Sequence, residues 1–317
     1  MRHFIGIDLG GTNIAAGLVR EDGQLLAKCS LPTGAGRPTD DIVSDLVRTA
    51  NLCLEGTGLK MADISGLGVG VPGAVDDARG MVVRTTNLSW YQLPLARLLN
   101  EMTGLPVRLG NDADCAALGE VCAGCAGDFS SAVMITIGTG IGGGFVHNKK
   151  VFAGWTGAGT EPGHIPLVFD GELCGCGCRG CFEAYASASA LIRQTRRAME
   201  QNAHSLLWQF APQLDAVTAK TPFDAAAQGD ETARAVLDRY LDYLARGIGG
   251  IVNLFRPEAV ILGGGVSAQG EVLLAPLREK LKHYCYAAQY IPIPRVFTAS
   301  LGNDAGIIGA ALLGLEA

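Results

Sequence analysis

The sequence predicts an α/β protein with two similar lobes around a cleft. Apolar strand patterns alternate with helical patterns along the chain, which is typical of the α/β class. A strand, a glycine turn and a second strand occur twice, at residues 3–22 and 130–150, and this weak repeat indicates two copies of one fold. A cleft between similar lobes, edged by glycine loops, is a common place for a nucleotide and its substrate.

The composition limits the class of protein. The chain has 317 residues, enough for about two domains, and 48% of them are hydrophobic, which excludes a disordered chain. The net charge of −6 provides no basic patch for a phosphate backbone, so we expect no nucleic-acid partner. No apolar run approaches the ~20 residues of a membrane span, and the apolar start is too short for a signal peptide. We therefore expect a cytoplasmic protein whose ten cysteines are thiols or metal ligands, with disulfides the weaker alternative.

The first half of the chain opens with a strand that turns at residues 10–11 into a second strand. A helix is predicted over about residues 39–54, with Thr39 as its N-cap and a face carrying Ile42, Leu46 and Cys53. The stretch "ISGLGVGVPGAV" is predicted as a buried strand that runs into a Pro-Gly turn. "PVRLGNDADCAALGEV" then predicts a strand, a polar break and the start of a helix of small residues.

The second half repeats this organisation. "SSAVMITIGTGIGGGFVHNKK" predicts the second strand–turn–strand, and "PEAVILGGGVSA" predicts a strand that stops on three glycines. The longest helix is predicted over about residues 232–255, with Pro257 as its stop. The final residues, 303–317, are predicted as a closely packed helix of glycine and alanine. The apolar face of the long helix would carry Val236, Tyr240, Leu244 and Ile251.

Two glycine turns are candidates for phosphate binding. "DLGGTN" at residues 8–13 and "GTGIGGG" at residues 138–144 each present consecutive backbone N–H groups and a threonine hydroxyl. Such amides cradle phosphate oxygens, and glycine lets the chain approach the ligand without a Cβ atom. Neither turn is a P-loop or a GxGxxG that opens a helix, so the alternative is a pair of tight hairpins.

"GNDAD" supplies an acid where a strand ends. Asp112 follows a strand, and open α/β sheets place catalytic groups at the carboxyl ends of their strands. The alternative role of Asp112 is a helix N-cap. Asn111 beside it is a candidate for holding a substrate hydroxyl.

A cluster of soft ligands follows the spacing H-x9-C-x-C-x4-C. His164, Cys174, Cys176 and Cys181 fall within eighteen residues and are separated by glycines, which suits a closed tetrahedral zinc site. Cys178 is a fifth candidate, whereas tetrahedral zinc takes four ligands. The alternatives are a disulfide knot, which a reducing compartment disfavours, and a redox pair of Cys178 with Cys181.

The motifs "DLGGTN", "GNDAD", "GTGIGGG", "EPGH" and "CGCGCRGCFE", in this order, resemble the ROK family of sugar kinases and sugar-responsive repressors. The most specific element is the family's histidine–cysteine pattern, matched without a gap over residues 163–183, and the ATP-dependent glucokinases of bacteria look closest. The resemblance implies the duplicated actin/hexokinase/Hsp70 fold. The expected lobes are residues 1–118 joined by the helix 303–317, and residues 119–302 with the zinc segment 163–183.

The resemblance also implies roles for individual residues. Asp112 corresponds to the catalytic base, Cys178 to a variable position that is not a ligand, and Asp8 to a candidate for holding Mg²⁺ through water. The implied zinc ligands are His164, Cys174, Cys176 and Cys181. The implied sugar-binding residues are Gly73, Asn87, Asn111, Asp112, Glu161, His164 and Glu183. The implied ATP-binding residues are Asp8, Gly10, Gly11, Thr12, Asn13, Gly138, Thr139, Gly140, Gly263, Gly264 and Gly265.

The expected activity is ATP-dependent phosphorylation of a hexose hydroxyl, with glucose giving glucose 6-phosphate in carbohydrate metabolism. The alternatives are a sugar-sensing repressor and a regulator that has lost catalysis. Pro162, Asp114 and Cys178 depart from the commonest glucokinase versions, so kinases for N-acetylmannosamine, fructose, mannose or allose remain open. The resemblance implies a homodimer or homotetramer.

Overall fold

The computed structural model describes residues 1–85 and 87–316. Its strands are β1 (His3–Leu9), β2 (Asn13–Arg20), β3 (Leu25–Pro32), β4 (Gly66–Val71), β5 (Gly73–Asp76), β6 (Met81–Thr85), β7 (Tyr91–Leu93), β8 (Val107–Asn111), β9 (Ser131–Ile137), β10 (Ile141–His147), β11 (Lys150–Val151), β12 (Ala259–Gly263) and β13 (Arg295–Thr298). Its helices are α1 (Thr39–Leu52), α2 (Leu95–Thr103), α3 (Asp112–Ala123), α4 (Glu183–Ala186), α5 (Ala188–Gln201), α6 (Leu207–Phe210), α7 (Thr221–Ala227), α8 (Glu231–Phe255), α9 (Glu271–Tyr284) and α10 (Asp304–Leu313).

Two five-stranded sheets share one strand plan. The first has the order β3–β2–β1–β4–β8, in which β1, β2 and β3 are antiparallel and β4 and β8 run parallel to β1. The second has the order β11–β10–β9–β12–β13, with an antiparallel pair at one edge and a parallel pair at the other. Strand for strand, the second order repeats the first, which agrees with the repeat seen in the sequence. A small antiparallel sheet joins β5, β6 and β7.

The chain divides into two compact units. The first unit comprises Met1–Met134, Gly143–Thr160 and Ala299–Ala317, and the second comprises Ile135–Gly142 and Glu161–Thr298. The lobe boundaries expected from the sequence, 1–118 with 303–317 and 119–302, stay a prediction. In the described part of the chain, no helix is both long and apolar enough to cross a membrane.

The predicted helices are present, with differences at their ends. Helix α1 starts at Thr39, so its N-cap is Pro38, and the prediction of Thr39 as the cap is wrong by one residue. Pro38 precedes the first helical residue because its fixed φ suits that boundary and its missing N–H needs no partner. Helix α8 begins after Asp230, which caps it by accepting from Ala233 N, and buries the four predicted apolar residues. The predicted helix 303–317 ends at Leu313, a 3₁₀ turn follows, and Ala317 lies outside the described residues.

Helix α10 packs tightly inside the first unit. A Cβ atom added at Gly6 of β1 would lie 1.9 Å from Ile307 O, and one added at Gly68 of β4 would lie 1.7 Å from Ala310 O. On its other side α10 meets α3, where a Cβ atom at Gly309 would lie 1.7 Å from Cys115 O. Glycine therefore lets α10 lie against the sheet and against α3, the helix that begins at Asp112.

Candidate functional site

The first predicted phosphate turn joins β1 to β2 in the first unit. Gly10 N donates to Asn13 O over 2.9 Å and closes the turn. Thr33, just beyond β3, holds it from the side: its hydroxyl donates to Gly10 O over 2.7 Å and its N–H donates to Thr12 O over 2.8 Å. The turn is thus fixed before any ligand binds, which favours binding of a small anion.

Asn111 and Asp112 lie where β8 runs directly into α3. Asn111 is the N-cap of α3, because its Oδ1 accepts from Ala113 N and Asp114 N, and its Nδ2 donates to Gly73 O over 3.1 Å. The alternative that Asp112 caps the helix is therefore wrong, since Asn111 takes that role. Asp112 is the first residue of α3, and its carboxylate accepts from Ala113 N over 2.9 Å.

Asp8 and Asp112 are two largely buried carboxyls of the first unit. Burial, and to a lesser extent the negative charge of Asp112, raises the pKa of Asp8 to about 6. Burial also raises the pKa of Asp112, partly offset by the hydrogen bond from Ala113 N. Two acids with raised pKa values in one place are typical of functional sites, although structural networks shift pKa values too.

Asn87 and Gly73 are further predicted sugar-binding residues of the first unit. A Cβ atom at Gly11 would lie 3.3 Å from Asn87 Nδ2, so Asn87 borders the first phosphate turn. Gly73 has a φ of +136° and would carry its Cβ 2.3 Å from Arg84 O, so this position requires glycine. Gly73 O then accepts from Asn111, which joins the start of β5 to the start of α3.

The second phosphate turn and the three glycines after β12 meet in the second unit. Gly138 N donates to Gly140 O over 3.0 Å. Gly264 has a φ of +80°, and a Cβ atom there would lie 2.5 Å from Ile137 O, the residue before the turn. The backbone between Gly263 and Gly265 therefore lies directly against the turn at Gly138, Thr139 and Gly140.

Glu183 lies between this turn and the cysteine cluster. Its Oε2 accepts from Ile141 N over 2.9 Å, and a Cβ atom at Gly140 would lie 2.2 Å from that oxygen. Its Oε1 accepts from the Cys174 thiol over 3.3 Å. One carboxylate at the start of α4 therefore contacts both the phosphate turn and the predicted metal site.

The four predicted zinc ligands come together in the second unit. One ligand atom from each of His164, Cys174, Cys176 and Cys181 lies within 4.8 Å of all the others, and Cys178 is not in this set. Cys176 Sγ and Cys181 Sγ are 3.7 Å apart, and Cys174 Sγ is 3.7 Å from His164 Nδ1. In a tetrahedral zinc site with bonds of about 2.0 to 2.3 Å, neighbouring ligand atoms lie about 3.5 to 3.8 Å apart, so this donor set fits zinc.

The backbone of the zinc segment explains how four ligands converge. Cys174 N donates to Cys178 O over 2.8 Å and Gly177 N donates to Cys174 O over 3.0 Å, which folds the Cys-x-Cys run into a tight turn. Pro166 pairs with Cys181 as an isolated antiparallel bridge. His164 Nδ1 faces the thiols, so Nε2 is the ring nitrogen left for another partner. His164 is the last residue of a 3₁₀ turn that begins at Pro162, directly after Glu161.

Two supporting residues were not predicted from the sequence. Thr33 fixes the first phosphate turn. Glu120, fully buried on α3, accepts hydrogen bonds from Cys125 N, Ser300 N, Ser300 Oγ and Leu301 N. Glu120 thereby ties α3 to the loop before α10. The sequence shows only a glutamate among the small and apolar residues of the predicted helix, and its partner Ser300 is 180 residues away.

The chain belongs to the ROK family, whose sequence model matches residues 4–317. A glucokinase from Thermotoga maritima is 39% identical over 309 residues, which cover 97% of this chain and 96% of that protein. A ROK family glucokinase from Streptomyces griseus, solved with glucose and AMPPNP, is 35% identical and covers 99% of this chain and 100% of that one, with a TM-score of 0.79.

The ROK hexokinase from Thermus thermophilus is 34% identical, with 99% of each chain covered and a TM-score of 0.84. These structural neighbours have the actin-like ATPase fold. The predicted duplicated actin-like α/β class is therefore confirmed.

Proposed function

We propose that the chain is an ATP-dependent sugar kinase that phosphorylates glucose to glucose 6-phosphate. The observation that carries this proposal is the Asp112 carboxyl, which is buried beside Asp8 and follows β8 in a chain 35% identical to a glucokinase solved with glucose and AMPPNP. Burial raises the pKa of this carboxylate, which brings it closer to the working pH and makes it a stronger general base.

In the proposed reaction, Asp112 accepts the proton of the attacking sugar hydroxyl. The hydroxyl oxygen forms a bond to the γ-phosphorus of ATP as the bond from that phosphorus to the β-phosphate oxygen breaks, and ADP leaves. The enzyme contributes mainly positioning and charge screening, as in other phosphoryl transfers. Asn111, which is already fixed by its bonds to Gly73 and to the start of α3, would hold a neighbouring sugar hydroxyl.

Sugar specificity would depend on hydrogen bonds to the hydroxyl ring. The residues that the family resemblance proposes for these bonds are Asn87, Gly73, Glu161, His164 and Glu183. Carboxylates and carboxamides exchange hydrogen bonds with adjacent hydroxyls, and a sugar lacking one hydroxyl leaves a buried group unpaired. These hydrogen bonds would therefore favour one hexose over analogues that lack a hydroxyl.

ATP would be bound by backbone amides. The first phosphate turn, from Gly10 to Asn13, and the second, from Gly138 to Gly140, would donate N–H groups to phosphate oxygens, and residues 263–265 would face the adenosine. Asp8 would hold Mg²⁺ through water, and the ion would screen the negative charge of the ATP phosphates. Because Asp8 shares a site with Asp112, a cation there would favour the ionised form of both carboxyls.

We further propose a structural zinc ion held by His164 Nδ1 and the thiolates of Cys174, Cys176 and Cys181. Cys174 would bind the ion as a thiolate and would then no longer donate to Glu183 Oε1, which would couple metal binding to the orientation of Glu183. The zinc would also fix the His164 tautomer and leave Nε2 for the sugar.

A screen of acceptors tests the proposal. ATP consumption is measured in a coupled assay with glucose, mannose, fructose, allose and N-acetylmannosamine, and the phosphorylated product is identified by mass spectrometry. We expect glucose to give the highest kcat/KM and a product phosphorylated at the 6-hydroxyl. Turnover with none of these sugars would contradict the kinase proposal, and a clear preference for another sugar would contradict only the choice of glucose.

A further inference from the structure

Two cysteines outside the zinc segment lie next to each other in the first unit. Cys29 is on β3, the edge strand of the first sheet, and Cys53 directly follows the last residue of α1. Their Sγ atoms are 2.6 Å apart, and 24 residues separate them in the chain. The kinase mechanism uses neither residue.

The surroundings of the pair favour reaction between the two sulfurs over reaction with other groups. Cys29 Sγ also contacts Thr49 O over 3.1 Å, which fixes its side chain against the last turns of α1. Cys53 is 2% exposed, whereas Cys29 is half-buried, so a reagent in solution reaches Cys29 first. No described cation contacts either sulfur through a hydrogen bond.

We propose that Cys29 and Cys53 are a dithiol that a low-molecular-weight disulfide, such as oxidised glutathione, converts into an intramolecular disulfide. In the first step the Cys29 thiolate attacks one glutathione sulfur, forms a mixed disulfide and releases one glutathione. In the second step the Cys53 thiolate attacks the Cys29 sulfur and releases the other glutathione. The two cysteines lose two protons and two electrons, and the oxidant is reduced to two thiols.

The positions of Cys29 and Cys53 determine how fast the two thiols are oxidised and how the disulfide changes thermal stability. Burial raises the pKa of both thiols, so the thiolate fraction is small and oxidation is slow at neutral pH. The product would join β3 covalently to the end of α1. Closing a loop of this length restricts the unfolded chain, so we expect the unfolding transition that includes the first unit to rise by about 5 to 10 °C.

The experiment uses the full chain, first reduced and then incubated with oxidised glutathione. Remaining thiols are alkylated under denaturing conditions, and peptides are mapped by mass spectrometry while a parallel sample is melted. We expect a cross-linked peptide pair containing Cys29 and Cys53, lighter than the two free peptides by two hydrogen atoms, and the higher melting temperature.

Cys53→Ser is the matched control, because it keeps the zinc segment and Cys29 but removes the second thiol. In this variant we expect a stable glutathione adduct on Cys29 and no rise in melting temperature. Absence of the Cys29–Cys53 peptide from the oxidised wild-type chain would overturn the proposal, as would pairing of Cys29 with a different cysteine. The peptide map of the oxidised wild-type chain tests for the Cys29–Cys53 disulfide even if the variant does not fold.

Discussion

Burial raises the pKa of both Asp8 and Asp112, and the negative charge of Asp112 adds to the effect on Asp8. Each sits at the end of a strand of the first sheet, where the side chain is withdrawn from solvent. Burial disfavours the charged form, and two like charges in one site add to that effect. The two residues are therefore less stable in their ionised form than ordinary surface aspartates, while the proposed reaction requires that form.

We expect turnover to fall in acid because Asp112 must be ionised to accept a proton. Because burial raises the pKa of Asp112 in the free protein, kcat/KM should rise with pH over a range above that in which an ordinary aspartate titrates. The measurement is kcat/KM for the preferred sugar between about pH 4.5 and 8, with coupling enzymes in excess. A level profile down to the lowest of these pH values would contradict the raised pKa values.

Asp8→Asn should stabilise the fold at high pH. The folded pKa of Asp8, about 6, lies above its ordinary value of 3.8, so folding binds the proton, and stability is lost as pH rises through about 6. Asparagine does not ionise, so the variant should gain roughly 2 to 3 kcal/mol at pH 8 and almost nothing below about pH 4.

Denaturant unfolding at both pH values measures the effect of Asp8→Asn. Asp128→Asn, on an exposed loop, is the control and should change stability by less than about 0.5 kcal/mol at either pH. Equal stabilisation by Asp8→Asn at low and high pH would show that ionisation of Asp8 is not the cause.

At the scale of elements, Glu183 connects the proposed zinc cluster to the second predicted phosphate turn, through hydrogen bonds with Cys174 and Ile141. The segment forms few strands or helices of its own, and its shape rests on turns such as the one closed by Cys174 N and Cys178 O. A bound metal would therefore supply much of its stability, as is common for small metal-binding segments.

Cys176→Ala should remove zinc and weaken sugar binding by about tenfold or more, because loss of one ligand frees His164 and Glu183. Cys178→Ala is the matched control, since Cys178 is exposed, lies two residues away and is outside the four-residue cluster. Elemental analysis and calorimetric glucose binding are measured on protein purified without chelators. Equal zinc content in the two variants would contradict the ligand assignment.

Sequence patterns predicted those elements whose signal is local. The turn between β1 and β2 follows from adjacent glycines between apolar strands, and α8 follows from its apolar spacing. The N-cap of α1 is Pro38, one residue before the predicted cap Thr39. Thr33 and Glu120 could not be predicted, because their roles depend on β2–β3 register and on contact between α3 and the loop at Ser300. Sequence spacing carries no information on such distant partners.

At the scale of the whole molecule, one strand plan is used twice, and the sequence already indicated this through two strand–glycine turn–strand patterns. The zinc ligands were predicted as a set because their spacing is short, and the described residues bring them together. The hydrogen bonds of Glu183 to Ile141 and Cys174 were not predicted, since they depend on folding across the second unit.

The close packing of α10 in the first unit can be tested by comparing two glycine-to-alanine substitutions, one in α10 and one in α8. Gly309→Ala would place a Cβ atom 1.7 Å from Cys115 O, backbone that cannot move without shifting α3 and Asp112. We expect a loss of roughly 3 kcal/mol or more in stability, together with reduced turnover. Gly250→Ala, in helix α8 with no atom within 4 Å, should instead raise stability by up to about 1 kcal/mol. The melting temperatures of both variants are measured by thermal unfolding. A Gly309→Ala variant as stable as the wild type would contradict the close packing of α10 against α3.

The most direct test of the kinase account is Asp112→Asn, with kcat and glucose affinity measured on the same preparation. Asparagine keeps the size of the side chain and removes the proton acceptor, so we expect kcat to fall by about 10² to 10⁴ while the Kd for glucose changes by less than about fivefold. Turnover within a few-fold of wild type, with glucose binding intact, would contradict the role of Asp112 as the base.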